Sequence, residues 1–129
     1  MSDCVFCKIA AGELPSHKVY EDDLVMAFLD IQGWTKGHTL IIPKGHYVNM
    51  LETPDELIAK ITVLAKDLAN NYKTTLHAKG FYFMAAGVDV PHFHYHVIPY
   101  YEDANVEFRP TNQPKDQNFD QVAADLRND

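Results

Sequence analysis

The segment His92-Phe93-His94-Tyr95-His96-Val97-Ile98 alternates histidine with an aromatic or branched residue. In an extended chain successive side chains point to opposite faces, so His92, His94 and His96 share one side while Phe93, Tyr95 and Val97 take the other. The apolar side can anchor in a core. The imidazole side needs partners, because each buried ring nitrogen must be satisfied. Such a cluster points to function, since titratable groups gather where chemistry occurs. Two chemistries fit the spacing. Alternate histidines can ligate a metal, as in three-histidine zinc enzymes. One imidazole can instead attack phosphorus and carry the group as a covalent intermediate, which splits one hard displacement into two easier ones.

The two cysteines, Cys4 and Cys7, form a Cys-x-x-Cys pair. In a reducing compartment this reads as half of a zinc site, as a redox couple, or as two small core residues. Only three residues precede Cys4, too few to build the strand that leads into a thioredoxin-like motif. Zinc needs two further ligands, and histidines are available for that role.

The 129 residues suit one domain. Hydrophobic residues make up 47% and charged residues 22%, which is too apolar for a disordered chain. Eleven Lys and Arg against eighteen Asp and Glu give a net charge of −7. That balance argues against a nucleic-acid polymer as ligand, because phosphate neutralisation requires a basic surface, but it leaves a small nucleotide open. No run approaches the roughly 20 apolar residues of a membrane span. The start, Met1-Ser2-Asp3-Cys4, lacks both a basic and an apolar leader segment, so the expected location is the cytosol.

Residues 24–31 (LVMAFLDI) and 38–43 (HTLIIP) read as two strands joined by a hairpin over the turn residues 32–37. Thr53-Pro54-Asp55-Glu56 reads as a helix start, with Thr53 as N-cap and Glu56 closing a capping box. Leu57, Ile61, Leu64 and Leu68 follow at helical spacing, flanked by Ile58, Ala65 and Tyr72; this stripe is expected to face the core or a second subunit. Glu56 and Lys60 are spaced for an ion pair, and Gly80 is the expected stop. Two further strands are expected over 81–86 and 92–100, and a brief helix over 119–126. The expected fold class is α+β, a mainly antiparallel sheet with one long helix and a short C-terminal helix. The expected division is a domain over 1–110 and a polar tail over 111–129.

The histidine segment resembles the defining motif of the histidine triad (HIT) superfamily of nucleotide hydrolases and transferases. The resemblance extends, in the same order, through Cys4-Val5-Phe6-Cys7-Lys8-Ile9, Gly12-Glu13-Leu14-Pro15-Ser16, Val19-Tyr20-Glu21-Asp22-Asp23, Ala27-Phe28-Leu29-Asp30-Ile31 and Gly37-His38-Thr39-Leu40-Ile41-Ile42-Pro43-Lys44, followed by His46. It is to the branch that acts on purine nucleoside phosphoramidates and dinucleoside polyphosphates. The resemblance implies a HIT-like fold with His94 as the nucleophile toward the α-phosphorus, releasing AMP or GMP. It places His96 and His38 close to that phosphate, Asp30 on the ribose hydroxyls, and Phe6, Ile9, Phe28, Ile31 and Leu40 around the purine base. It further implies a structural zinc on Cys4, Cys7, His46 and His92, not required for chemistry, and a homodimer whose interface includes the long helix. His17 and His77 match no position of the pattern and are expected at the surface.

The chain departs from the family pattern just before the triad. Met84-Ala85-Ala86-Gly87-Val88-Asp89-Val90-Pro91 forms a shorter loop, with Val88 where the family has a phosphate-holding glutamine and Asp89 beside it. A carboxylate close to the α-phosphate repels it. Asp89 therefore either faces away or alters turnover or substrate. The rivals to the hydrolase are a nucleotide-binding regulatory protein with weak or no turnover, and a metalloenzyme with zinc on all three triad histidines.

Overall fold

The computed structural model describes residues 3–103 and 117–127. In chain order the elements are α1 (Val5–Ala10), β1 (Lys18–Glu21), β2 (Val25–Leu29), β3 (Thr39–Pro43), a single 3₁₀ turn (Met50–Glu52), α2 (Asp55–Thr75), β4 (Gly80–Met84), β5 (Tyr95–Tyr100) and α3 (Phe119–Arg127). The strands form one sheet in the order β1-β2-β3-β5-β4, and every pairing is antiparallel. This is the expected α+β architecture.

Period-two alternation divides the sheet into two faces. Val25, Ala27, Ile41, Phe93 and Val97 pack with Ile61, Ala65, Leu68 and Tyr72 of α2 in one core. Met26, Phe28, Leu40 and Ile42 point the other way and pack with Phe6 of α1 in a second, smaller core. Full burial of an Ile or Val side chain contributes about 1.5–3 kcal/mol, so residues such as Ile41, Ile42 and Val25, all without exposure, hold the sheet between its two layers. The stripe expected on α2 is thus a core stripe, with α2 lying across β3, β5 and β4.

Several local expectations are corrected. Thr53 does not cap α2. Its hydroxyl donates to Asn49 O at 2.8 Å and closes the 3₁₀ turn, and Pro54 stands at the cap position with no side-chain bond. Asp55 and Glu56 still lie in the first turn, where the helix dipole favours negative charge. Lys60 reaches across to Asp22 at 2.9 Å rather than pairing with Glu56, because α2 packs where the β1–β2 turn offers a carboxylate. The helix ends at Thr75, short of the expected stop at Gly80; His77 takes the left-handed conformation (φ 60°) just beyond it, and Gly80 instead opens β4. The last strand begins at Tyr95, not at residue 92, since β3 pairs only as far as Ile41 with Tyr95. Two elements, α1 and β1, escaped sequence reading because each is too short to show a period. His17 and His77 are exposed, as expected. The expected helix over 119–126 is present as α3, whereas residues 111–116 and 128–129 of the expected tail lie outside the described residues.

Candidate functional site

The hairpin between β2 and β3 and the run into β5 bring His38, His94 and His96 together, all buried. Leu40 pairs with His96 across the β3–β5 ladder, which sets His38 beside it at the mouth of β3. Gly33 permits the hairpin loop to close over His38, since a Cβ there would meet His38 Cβ at 2.8 Å.

Hydrogen bonding fixes the state of each ring. Trp34 N–H donates to His38 Nδ1 at 3.0 Å, and an amide can only donate, so the proton of neutral His38 sits on Nε2. His38 Nε2–H then donates to His96 Nδ1 at 2.9 Å, and His96 carries its proton on Nε2. That Nε2–H is buried and meets no partner among the described residues. His94 Nδ1–H donates to His92 O at 2.8 Å, which leaves the lone pair of Nε2 free. Burial holds His38 below the ordinary histidine value, and burial together with the neighbouring His94 and His38 pulls His96 down to about 4. Both rings are therefore neutral at pH 7.

A cavity of about 470 Å³ opens onto these groups. Its lining includes His94, His96, Asp30 and Asp89, together with Phe6, Ile9, Phe28, Ile31 and Leu40, so all the residues expected around a nucleotide except His38 border one space. His38 stands behind His96 and does not border the cavity; its tie to the site is the ring-to-ring bond. Phe6 sits edge-on to both Phe28 and His94, with ring centres 5.9 and 5.1 Å apart. Ile31, by contrast, is 86% exposed and borders only the rim. Asp30 Oδ1 accepts from Gln32 N–H at 2.9 Å, and Oδ2 lies 3.8 Å from His38 Nε2. Asp89 does not face away: its Oδ1 lies 3.5 Å from His94 Nε2. Burial opposes its charge, yet the Val90 N–H and the nearby imidazoles hold its carboxyl below the ordinary value, so it is ionised at pH 7.

His92 faces a different cluster. Its Nε2–H donates to Pro43 O at 2.9 Å, leaving Nδ1 toward Cys4 Sγ at 3.3 Å and Cys7 Sγ at 3.5 Å. His46 Nδ1 lies 3.2 Å from Cys7 Sγ, and the four ligand atoms all fall within 4.8 Å of one another. A tetrahedral zinc with Zn–S near 2.3 Å and Zn–N near 2.05 Å puts adjacent S and N ligands about 3.5 Å apart. The donor set and the spacing fit that ion. Cys4 also caps α1, its Sγ accepting Cys7 N–H at 3.3 Å, so the helix that carries Phe6 and Ile9 is held by the same sulfur.

Sequence reasoning missed the contribution of Trp34, whose backbone amide sets the His38 tautomer, and of Pro15, Ser16, Gln32 and Val90 at the cavity wall. A backbone donor leaves no trace in residue type. Val90 alone carried a signal, as the apolar residue beside Asp89.

The HIT domain family matches residues 11–103, which leaves α1 and its two cysteines outside the matched region. An uncharacterized HIT-like protein of Borreliella burgdorferi is 42% identical over 120 residues, covering 88% of this chain and 86% of the relative. Adenylylsulfatase HINT3 of Arabidopsis thaliana is 39% identical over 103 residues, 76% of this chain and 52% of that protein. Among solved structures, SMU.412c from Streptococcus mutans superposes with a TM-score of 0.87 at 37% identity, covering 99% of this chain and 85% of the other. A Zn-bound histidine triad family protein from Mycobacterium smegmatis gives 0.79 at 34% identity, covering 87% and 85%. With the family matched over most of the chain and two of the three triad histidines, His94 and His96, bordering one cavity, this protein belongs to the HIT domain family.

Proposed function

We propose that this protein is a purine nucleotide hydrolase that cleaves a bond at the α-phosphorus through a covalent nucleotidyl intermediate on His94, releasing a nucleoside monophosphate. The observation that carries the reading is the opposed state of two rings on one cavity. His94 offers the lone pair of Nε2, held in that tautomer by His92 O, and His96 offers an unpartnered Nε2–H. A nucleophile and a donor facing one space are what an in-line displacement at phosphorus requires. His94 Nε2 attacks, the leaving atom departs with the bonding pair, and His96 donates to it or to a phosphate oxygen. Water then cleaves the phosphorus–nitrogen bond at His94. His38 is a positioning residue that orients His96. Asp30 accepts the ribose hydroxyls, and Phe6, Ile9, Phe28, Ile31 and Leu40 enclose the base.

A zinc on Cys4, Cys7, His46 and His92 is structural in this reading. Four protein ligands fill its shell and leave no open position, so its contribution is to hold α1 against the segment before β5. The rival with zinc on all three triad histidines is disfavoured because His92 Nδ1 is turned to the cysteines. In this reading residues 1–110 are the functional unit and 111–129 a tail, and the protein is a homodimer that uses α2; the family match over residues 11–103 falls within that unit, and light scattering checks the dimer. Among the described residues no helix is long and apolar enough to cross a membrane. A cytoplasmic setting goes with this reading, since a zinc on Cys4 and Cys7 requires both thiols to stay reduced.

The test is mass spectrometry of protein mixed with an adenosine 5′-phosphoramidate. An adenylyl adduct that His94→Ala removes, with AMP release, is the expected result. A second reading, a nucleotide-binding protein with little turnover, is favoured by the Asp89 carboxylate beside the nucleophile. AMP binding with neither adduct nor release would establish that second reading.

A further inference from the structure

We infer that Asp89 selects the leaving group by charge, favouring amines that carry a positive charge over anionic polyphosphates. The inference rests on the hydrolase reading above and narrows its substrate class.

Three observations carry it. Asp89 Oδ1 lies 3.5 Å from His94 Nε2, so a phosphorus under attack by that nitrogen sits beside a carboxylate. Its side chain is 57% exposed, so it stands at the mouth of the cavity and can turn with an incoming group. Among the described residues bordering the cavity, the only formal charges are the carboxylates of Asp30 and Asp89; no Lys or Arg is present. A polyphosphate leaving group carries several negative charges and ordinarily meets arginine or lysine. Here it would meet a carboxylate and no cation. Val88, at the position where a neutral amide donor was expected, is 94% exposed and has no hydrogen-bonding side chain.

An amine leaving group reverses the balance. As His94 Nε2 bonds to phosphorus, the P–N bond breaks and the nitrogen keeps the electron pair. That nitrogen takes its proton from solvent at the open mouth of the cavity, while the Nε2–H of neutral His96 keeps its proton and hydrogen-bonds a phosphate oxygen. The released amine binds a further proton at neutral pH and departs past Asp89 as an ammonium. Any second ammonium on the same leaving group pairs with Asp89 before the reaction as well.

Three substrates sharing adenosine 5′-phosphate provide the test: a phosphoramidate of a diamine with a free terminal ammonium, the matching phosphoramidate ending in a hydroxyl, and diadenosine tetraphosphate. Wild type is expected to show kcat/KM about tenfold higher for the diamine than for the hydroxyl compound, and the tetraphosphate slowest, with the differences shrinking at high salt. Asp89→Asn should bring the two phosphoramidates to parity and raise the tetraphosphate several-fold, whereas Asp89→Glu should keep the wild-type order. Ratios that Asp89→Asn leaves unchanged, or a tetraphosphate faster than the phosphoramidates in wild type, would overturn the inference while leaving the hydrolase in place. No AMP from any of the three would overturn the hydrolase reading, and the inference with it.

Discussion

His38 Nε2 and His96 Nδ1 lie 2.9 Å apart in a buried contact, and because His38 Nδ1 already accepts from Trp34, the proton order of both rings runs one way. The result is a fixed donor, Nε2–H, on His96, whose ring borders the cavity. His38→Ala removes the orienting partner and lets His96 adopt either tautomer. Turnover of an adenosine phosphoramidate should fall by about 10²-fold, with KM changed little, because the lost interaction serves the transition state. His38→Gln, whose amide can still donate to His96 Nδ1, should recover part of the loss. Equal activity of His38→Ala and wild type would remove His38 from the site.

The acid stability of the fold should report on the same ring. His96 titrates at about 4 in the folded protein, against about 6.5 for an unfolded histidine. The unfolded chain therefore takes up its proton first as pH falls. The stability held by neutral His96 is complete above pH 6.5, declines from there to about 4, and is flat below; over that window the loss is about 3 kcal/mol. Urea denaturation at pH 7, 5.5 and 4 should show this slope in wild type and a shallower one in His96→Gln. Identical slopes would mean that other groups govern the decline.

Cys7→Ser should affect more than metal content. The sulfur belongs to α1, and α1 also supplies Phe6 and Ile9 to the cavity. Zinc per chain should drop, the melting temperature should fall, and AMP should bind about tenfold more weakly, since loosening the helix removes one wall of the base slot. Metal analysis and calorimetric titration with AMP provide the readouts. Undiminished AMP affinity in a zinc-free Cys7→Ser protein would uncouple the two sites.

Phe28 and Ile31 should separate packing from binding. Phe28 is 4% exposed within the smaller core, so Phe28→Ala should cost about 3–5 kcal/mol. Ile31 is 86% exposed at the rim, and Ile31→Ala should change stability by less than about 0.5 kcal/mol while weakening AMP binding about threefold. Loss of stability without loss of affinity in Ile31→Ala would reverse the assignment.

Tyr72 ties α2 to the sheet. The Thr39 hydroxyl donates to Gly37 O at 2.7 Å, so the Tyr72 hydroxyl is the donor in its own 2.7 Å bond to Thr39. Tyr72→Phe should cost about 1 kcal/mol, because Thr39 keeps the bond it donates to Gly37 O and loses only an accepted bond. Denaturant midpoints measure it; a cost above about 3 kcal/mol would imply that the hydroxyl does more than this one bond.

The sequence by itself determined what depends on period and residue type. Alternation in residues 25–29 and 39–43 set the two faces of the sheet, and the spacing of Ile61, Ala65, Leu68 and Tyr72 set the buried side of α2. Resemblance to the family's motifs further named the residues that now border one cavity and one cluster of sulfur and nitrogen ligands. Tertiary structure alone decided how the three alternating histidines divide their work. His92 turns to the cysteines because α1 and Pro43 O meet it there, and His94 and His96 open onto the cavity with fixed protons. Those protons are set by backbone groups of Trp34 and His92, which every sequence possesses, so no pattern of side chains could have announced them. The side to which Asp89 turns was likewise decided by the fold, which brings its carboxylate 3.5 Å from His94 Nε2.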